Sequence, residues 1–276
     1  VKRELLPTLE YLRAHQKNCK IVCGFRDILD EKEAVNDEWL KRDTDAALRR
    51  FFDYVLIYGE KHVYDFASEY GLDQELAKKL LYVGYVHPDD NLNHSPFKMP
   101  FSNGLPTVTL TLGGGGDGDD ILKLYTQMVA EKGTDLPFNS YVLAGPFANP
   151  ESVREAQEIQ KGIPQLFVKD FVSDTFTVFN QSDLVVSMGG YNTMTELVTM
   201  GLKPIILPRV KPRKEQLIRA EVFKKLELCD FLAPENLSPE SLMSLIIQRL
   251  EKKDKPPVFA ARGLSEFRKL FVEGTL

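Results

Sequence analysis

The chain has 276 residues, of which 43% are hydrophobic and 27% are charged, as in ordinary soluble globular proteins. No apolar run approaches the roughly 20 residues that a membrane-spanning helix needs, which excludes an integral membrane protein. The net charge of −5 argues against a nucleic-acid partner, because binding to phosphates requires a clustered basic face.

The first part of the chain alternates strand-like and helix-like segments. It opens on a helical pattern, without the strand and glycine loop with which a doubly wound domain usually begins. Strands are predicted at 20–25, 54–59 and 81–86, and helices over 30–52 and 72–81. This alternation indicates a parallel sheet, and we expect a Rossmann-like domain that is truncated at its amino terminus.

Residues 87–106 are rich in Pro, Asn and Asp and have neither a helical nor a strand period, so they predict a linker. After the linker, a second series of strands and helices follows. Its strands are predicted at 107–112, 140–145, 165–171, 183–188 and 204–208. We therefore predict an α/β fold of two Rossmann-like domains, residues 1–100 with the linker and residues 101–276.

The cysteines and histidines give no sign of a metal site. Cys19, Cys23 and Cys229 lack metal-ligand spacing and are most simply small buried side chains in a reducing cytosol, which predicts a cytoplasmic protein. The four histidines are scattered, and none is a convincing catalytic base. The sequence therefore predicts no metal and no cofactor.

The most informative segment is residues 187–216, where an apolar strand ends at Gly189 and Gly190 and turns directly into a helix. A phosphate can approach the backbone closely at such glycines, and the unpaired N–H groups at a helix N-terminus favour an anion. Glu196, within the helix, could accept two hydrogen bonds from a ribose diol. The segment therefore predicts a nucleotide-sugar site.

The same helix allows a purely structural role for Glu196. We expect the helix to begin near Asn192 or Thr193. If Thr193 caps it, Thr193 and Glu196 form a capping box, in which the glutamate binds a backbone N–H and contacts no ligand. The residues of this helix alone support both roles of Glu196 equally.

A second glycine-rich turn, residues 113–116, also joins a strand to a helix. Ordering four glycines is entropically costly, so we expect Gly114, Gly115 and Gly116 to let backbone amides reach the diphosphate or the donor sugar. A plain flexible turn is the alternative. Both glycine turns follow strands of one parallel sheet and should therefore lie on one edge of it.

Four motifs, SMGGYN, TMTE, GLKPIILP and the pair Glu215-Gln216, resemble in their order the donor-site signature of glycosyltransferases with the glycosyltransferase-B fold. The carboxyl-terminal half is similar to the lipid II-forming N-acetylglucosaminyltransferase family, of the family 28 type. In the first half, CGFRDILD at 23–30 and ALRRFFDYVLIYG at 47–59 resemble bacterial predicted glycosyltransferases. The resemblance implies two Rossmann-like domains, with the last helix returning to the first domain.

The resemblance also implies roles for single residues. Glu196 would hold the ribose hydroxyls, Gln216 would face the donor sugar, and the backbone of Val172, in FVSD at 171–174, would bind the uracil edge. The glycines would border the diphosphate. The residue chemistry and the resemblance together predict the following donor-binding residues: Gly114, Gly115, Gly116, Val172, Gly189, Gly190, Asn192, Thr193, Glu196, Arg209, Glu215 and Gln216.

Asp117 and Asp119 have the spacing of a D-x-D motif, which in other glycosyltransferases holds a divalent ion. Acids at the start of a helix are favoured by the helix dipole without any metal. The families that resemble this chain generally need no metal for the chemistry. We therefore predict metal-independent catalysis.

Two further features could contribute to function. Residues 203–219 include six basic residues and one acid, which could bind a diphosphate or anionic lipid head groups, although a solvated helix face is the commoner role. We therefore expect that these basic residues allow peripheral contact with the cytoplasmic face of a membrane. Arg26 and Asp27 follow a strand of the first domain and could line a cleft, but a structural role in satisfying loop backbone is favoured.

The predicted function is transfer of a sugar from a nucleotide-diphosphate donor, uridine-linked, to a glycan, lipid or small-molecule acceptor. Two alternatives stay open: a nucleotide-sugar epimerase or hydrolase on the same fold, and a donor-binding subunit without catalytic groups. In the resembling family the general base comes from an amino-terminal loop that we expect to be absent from this chain. The catalytic residue is therefore left unassigned.

Overall fold

The computed structural model describes residues 5–86, 97–252, 254–259 and 262–273. The chain divides into two compact units, Val1–Pro88 with Ala260–Leu276 and Asp89–Phe259, each with its own parallel sheet. The first half of the predicted linker, residues 87–96, lies outside the described residues, and residues 97–106 contain no helix or strand. The sequence placed the domain boundary at residue 100, whereas the compact units are divided between Pro88 and Asp89.

The first unit is built on three short strands. Its elements before the second unit are α1 (Leu6–His15), β1 (Val22–Arg26), α2 (Lys32–Arg42), α3 (Thr44–Phe51), β2 (Tyr54–Tyr58), α4 (Phe66–Tyr70), α5 (Gln74–Ala77) and β3 (Leu80–Tyr82). The strands pair in parallel in the order β1-β2-β3. The alternation of strands and helices in the sequence therefore gives a parallel sheet, as predicted.

The helices of the first unit differ in detail from the prediction. The single helix expected over 30–52 is two helices, because Asp43 adopts the left-handed conformation with φ of 48° and interrupts the helix. The helix expected over 72–81 is only α5, whose start is fixed by Asp73, since its side chain accepts the N–H of Leu76 at 3.0 Å. Helix α4 was not predicted.

The second unit is larger. Its elements are β4 (Thr107–Thr111), α6 (Asp119–Lys132), β5 (Asn139–Leu143), α7 (Pro150–Gln160), β6 (Leu166–Lys169), α8 (Thr175–Asn180), β7 (Leu184–Ser187), α9 (Tyr191–Thr199), β8 (Ile205–Ile206), α10 (Glu215–Lys225), β9 (Asp230–Phe231) and α11 (Pro239–Lys252). Strand β9, of two residues, is too short to give a sequence period and was not predicted. Across the described ranges, no helix combines the length and apolar character needed to cross a bilayer.

The strand order of the second unit has one switch point. All neighbouring strands are parallel, in the order β6-β5-β4-β7-β8-β9. The chain thus proceeds outward from β4 to β6 and then restarts on the other side at β7, so the order reverses between β4 and β7. Open parallel sheets bind ligands outside the carboxyl ends of the strands at such a switch point.

The last helix, α12 (Gly263–Phe271), belongs to the first unit, as the resemblance implied. The N–H of Gly263 donates to the carbonyl oxygen of Tyr85 at 2.9 Å. The ring of Phe267 packs on Tyr58 with the ring centroids 5.7 Å apart. The first unit is therefore assembled from both ends of the chain.

The cysteines are less uniformly buried than predicted. Cys229 is buried, and desolvation raises the pKa of its thiol to about 12. Cys23, in β1, is half-buried, and desolvation also raises its thiol pKa. Cys19 is exposed, because it lies in the segment between α1 and β1, before the chain enters the sheet.

Candidate functional site

Two glycine turns lie side by side at the carboxyl ends of β4 and β7. The first glycine turn, residues 113–116, follows β4, and the second, Gly189-Gly190, follows β7. The two strands are paired, with Thr111 opposite Ser187. A Cβ placed on Gly113 would lie 3.7 Å from Oγ1 of Thr193, an ordinary van der Waals contact. The two turns therefore share one edge of the sheet, at its switch point.

The first glycine turn is packed against backbone, which argues against a plain flexible turn. Gly115 has φ of +85°, and a Cβ there would lie 2.3 Å from the carbonyl oxygen of Ala144. The N–H of Phe147 donates to the carbonyl oxygen of Gly114 at 2.8 Å. The backbone after β5 thus holds this turn in place, while the Phe147 side chain stands 76% exposed beside it.

The second glycine turn is fixed by neighbours that only a glycine allows. Gly189 has φ of +79°, and a Cβ there would lie 2.7 Å from Cγ2 of Ile206 in β8. Arg219, in α10, is only 1% exposed and donates from Nη1 to the carbonyl oxygen of Gly189 at 3.1 Å. Its guanidinium lies 5.8 Å from the ring centroid of Tyr191. Arg219 was not recognised from the sequence, because nothing in its spacing distinguishes it from the nearby surface cations.

Helix α9 begins earlier than predicted, and this removes the capping-box role of Glu196. Its first residue is Tyr191, its N-cap is Gly190, and no side chain caps it. Thr193 therefore lies inside the first turn and cannot be the N-cap. Instead, Glu196 accepts a hydrogen bond on Oε1 from Oγ1 of Thr175 at 2.9 Å. The N-terminus of α9 directs its first N–H groups to the switch point, where an anion would be favoured.

Arg209, after β8, joins Asp117, the residue that follows the first glycine turn, to α10. Its Nε lies 3.0 Å from Oδ2 of Asp117, and its Nη2 donates to Oε1 of Glu215 at 2.8 Å. Its backbone N–H donates to Oε1 of the buried Gln216 at 3.1 Å. The structure thus brings together the predicted residues Arg209, Glu215 and Gln216. It adds Asp117, which the sequence suggested only as a metal ligand.

The segment between β6 and α8 lies beside Glu196. Val172 is half-buried and packs on a cluster of buried apolar residues on one face of the sheet. Asp174 caps α8. Its carboxylate accepts two hydrogen bonds from Thr177, one from the backbone N–H at 3.1 Å and one from the side-chain hydroxyl at 2.6 Å. Thr175, the next residue, binds Glu196. The segment predicted to hold the base is therefore joined to the residue predicted to hold the ribose. Thr175 was not predicted, because the bond is made between distant elements.

Each acid of the D-x-D spacing has a cationic partner. Asp117 pairs with Arg209, and Oδ2 of Asp119 lies 2.9 Å from Nζ of Lys123. Hydrogen bonds from Ser152 and Lys123 hold the pKa of Asp119 below its usual range. Asp119 is the first residue of α6, where the helix dipole favours an acid. Among the residues that the structure describes, no group of three or more His, Cys, Asp or Glu could hold a metal ion.

In the first unit, Asp27 is engaged by its own surroundings. It is 1% exposed, its Oδ1 accepts the N–H of Ile28 at 2.8 Å, and its Oδ2 accepts the hydroxyl of Tyr85 at 3.2 Å. These hydrogen bonds agree with the structural role that the sequence analysis favoured for Asp27, in which the carboxylate satisfies loop backbone. Arg26, at the end of β1, is exposed.

A charged cavity of about 300 Å³ lies at the opposite edge of the larger sheet. Lys203, which precedes β8, and Asp230, which begins β9, line it. Lys203 pairs with Asp254 at 2.9 Å, and Asp230 with Lys224. Because amino and carboxyl ends of parallel strands lie at opposite edges, this cavity is separate from the switch point. Its lining side chains largely neutralise one another.

Residues 112–271 of the chain match the glycosyltransferase family 28 C-terminal domain, which is more than half of the chain. The chain belongs to glycosyltransferase family 28. The family 28 match starts immediately before the first glycine turn and includes both turns and every residue predicted to bind the donor.

Curated relatives of this family 28 chain include two UDP-N-acetylglucosamine--N-acetylmuramyl-(pentapeptide) pyrophosphoryl-undecaprenol N-acetylglucosamine transferases. The protein of Streptococcus uberis is 36% identical over 93 residues, which are 33% of this chain and 26% of the relative. The protein of Streptococcus pneumoniae serotype 19F is 27% identical over 208 residues, 70% of this chain and 55% of the relative. The chain thus spans from about a quarter to just over half of the length of these relatives.

Solved structures share the fold at low identity. The glycotransferase of kitacinnamycin superposes with a TM-score of 0.57 and 17% identity, covering 99% of this chain and 63% of that one. MurG of Acinetobacter baumannii gives a TM-score of 0.51 and 15% identity, covering 95% of this chain and 93% of that one. These structures confirm the predicted α/β fold of the glycosyltransferase-B type. The family match confirms the resemblance to family 28.

Proposed function

We propose that this family 28 chain binds a nucleotide-diphosphate sugar at the switch point of its second unit and acts in transfer of the sugar to an acceptor. The observation that carries the proposal is that two glycine turns and the N-terminus of α9 meet at the carboxyl ends of β4 and β7. Nucleotides bind to open parallel sheets at this position. The relatives' names, which include UDP-N-acetylglucosamine, favour a uridine-linked donor.

The diphosphate would lie across the two glycine turns. Backbone amides of Gly114 and Gly116 and the first N–H groups of α9, at Asn192 and Thr193, would donate to its oxygens. The N–H of Gly115 donates to the carbonyl oxygen of Leu112 at 3.0 Å and shapes the turn instead. These donors are fixed before the reaction, because both turns are held by backbone and side-chain contacts. Donors arranged in advance stabilise the charge that develops on a leaving diphosphate without having to reorganise.

Arg209 would bring positive charge to the same oxygens. Its guanidinium is balanced by two carboxylates, of which Asp117 is 58% exposed and Glu215 is 17% exposed. Asp117 is therefore the partner that a diphosphate would replace. Glu215 and Gln216 would remain and face the donor sugar.

The nucleoside would lie between α9 and the segment after β6. Glu196 would accept hydrogen bonds from the ribose hydroxyls, and the backbone of Val172 would bind the base. The hydrogen bond between Thr175 and Glu196 supports this arrangement, because Thr175 follows Val172 by only three residues. An acceptor hydroxyl would attack the anomeric carbon, form the new glycosidic bond and pass its proton to a general base, which is left unassigned. The bond to the diphosphate oxygen would break, and the nucleotide diphosphate would leave with its electron pair.

Calorimetric titration with uridine diphosphate tests the proposal. We expect binding by the unmodified chain, and an affinity about tenfold to a hundredfold lower for Glu196→Ala, because hydrogen bonds to a half-buried charge are lost. Glu158→Ala is the matched control, since Glu158 is an exposed acid at the other end of the same unit and pairs with Lys161. Its affinity should equal that of the unmodified chain.

Equal affinities of the unmodified chain and Glu196→Ala would remove Glu196 from the site. Failure of the unmodified chain to bind uridine diphosphate would contradict the uridine-linked donor. A parallel titration with guanosine diphosphate, expected to bind more weakly, tests the choice of base. The acceptor in this proposal is a glycan, a lipid or a small molecule in the cytoplasm. The basic residues 203–219 would allow peripheral contact with an anionic membrane surface.

A further inference from the structure

We infer that Thr175 is a positioning residue for the ribose: its hydroxyl holds the Glu196 carboxylate in the orientation that accepts the ribose hydroxyls. This inference rests on the proposed function of the site and goes beyond it, because it assigns selection of ribose over deoxyribose to a pair of side chains. The observation that carries it is the hydrogen bond from Oγ1 of Thr175 to Oε1 of Glu196, at 2.9 Å.

The Thr175 hydroxyl is not required for the start of α8. Thr175 is the first residue of that helix, and the cap is made by Asp174, whose carboxylate accepts both the N–H and the hydroxyl of Thr177. Removing the Thr175 hydroxyl therefore leaves the helix cap intact. The Thr175 hydroxyl instead donates to Glu196, which is on a different helix and 21 residues away along the chain.

The hydrogen-bonding capacity of the two groups fits the inference. A carboxylate offers about four acceptor positions, and a hydroxyl donates only one hydrogen. Thr175 uses one position on Oε1 of Glu196, and a ribose diol would need two of the others. Glu196 is half-buried on α9, and the hydrogen bond from Thr175 restricts the rotamers that its side chain samples.

The valine variant tests the inference, because valine keeps the branched shape of threonine and removes the hydroxyl. For Thr175→Val we expect the affinity for uridine diphosphate to fall about three- to tenfold, because one hydrogen bond that orders the carboxylate is lost. The affinity for 2′-deoxyuridine diphosphate should fall less, because that ligand makes fewer bonds to Glu196. Thr175→Ser, which restores the hydroxyl, should lie within about twofold of the unmodified chain.

Thr199→Val is the matched control. Thr199 is on α9, the helix that carries Glu196, and its hydroxyl donates to the carbonyl oxygen of Thr195 at 2.7 Å. This variant removes a threonine hydroxyl without touching Glu196, so its affinity for both ligands should be unchanged. An equal loss of both ligands in Thr175→Val, or a loss that serine does not restore, would indicate a general structural role and overturn the inference. Tighter binding by Thr175→Val would also overturn it.

The outcomes for Thr175 and for the proposed function can be told apart. If Glu196→Ala weakens uridine diphosphate and Thr175→Val does not, the site stands and the inference about Thr175 fails. If the unmodified chain binds no uridine diphosphate, the proposed donor fails before any variant is compared. The circular dichroism spectrum of each variant should match that of the unmodified chain, which shows that the comparison is made between folded proteins.

Discussion

At the scale of single residues, the first glycine turn depends on Gly115. We expect Gly115→Ala to lower the free energy of unfolding by about 2 kcal/mol or more, because φ of +85° is strained for alanine and the new Cβ would lie 2.3 Å from the carbonyl oxygen of Ala144. Urea denaturation measures this change. In Gly114→Ala the new Cβ would lie 3.5 Å from the Phe147 ring, and we expect a change within about 1 kcal/mol. Similar losses in the two variants would show that the turn is not held as described.

Residue roles were predictable where they follow from local chemistry. The glycines were recognised because they follow apolar strands, and the structure places them at one edge. Whether Glu196 belongs to a capping box could not be decided from the sequence. It depends on where α9 begins, and the N-cap of that helix is Gly190. Thr175 and Arg219 act across elements, and a single sequence carries no signal for such contacts.

At the scale of elements, α10 and the second glycine turn are coupled through Arg219. We expect Arg219→Met to lower the free energy of unfolding by about 1–3 kcal/mol, because the side-chain volume is largely kept while a charge-assisted hydrogen bond to Gly189 is lost. Arg219→Lys should not restore it, since lysine lacks the planar guanidinium. Lys225→Met, at an exposed position on the same helix, is the control and should change stability by less than about 0.5 kcal/mol.

Stability that is unchanged or raised in Arg219→Met would contradict this coupling. Such a result is physically possible, because replacing a buried charge by an apolar side chain is sometimes stabilising. The affinity for uridine diphosphate gives an independent measurement. It should fall in Arg219→Met and not in Lys225→Met, because only Arg219 contacts the turn beside the proposed diphosphate position.

Most strands of the second unit were predictable because apolar and β-branched residues dominate them. All residues of β4 and β5 are buried, and β4 alternates threonine with valine and leucine. Elements that depend on a single backbone conformation were missed. The break between α2 and α3 lies at Asp43, within a charged pattern that continues on both sides. Strand β9 exists only because β8 lies beside it.

At the scale of the whole molecule, the position of the candidate site follows from the strand order, and no local pattern gives that order. Alternating strands and helices predicted parallel sheets but not which strands are neighbours. The reversal between β4 and β7 is a tertiary property. The resemblance to family 28 gave the missing information, because the order of motifs along the chain implies which strands carry the site.

Both compact units contain carboxylates that are stabilised in the charged form. In the first unit, burial opposes the charge of Asp53. Hydrogen bonds from the N–H of Ile21 and the guanidinium of Arg13 have a larger effect than this burial. They hold the pKa of Asp53 below its usual value. In the second unit, hydrogen bonds from Lys203 and Arg249 lower the pKa of Asp254. Acid should therefore weaken both units.

Asp254 offers the sharpest test of this acid sensitivity. It follows α11, and its carboxylate joins Lys203, before β8, to the buried Arg249. A carboxylate with a depressed pKa contributes stability that is fully present above its ordinary value of 3.8 and is lost as pH falls toward the folded value. We expect Asp254→Asn to be less stable than the unmodified chain at neutral pH. The difference should shrink steadily below pH 3.8.

Urea denaturation at a series of pH values measures the difference in stability between Asp254→Asn and the unmodified chain. Glu158→Gln is the control, because Glu158 is an exposed acid that pairs with one exposed lysine. The control should follow the unmodified chain at every pH. The carboxylate of Asp254 is itself 36% exposed, so solvent screening keeps the expected loss small, and the change of the difference with pH is the informative quantity. A constant difference between pH 7 and pH 3 would mean that Asp254 acts through packing and not through its charge.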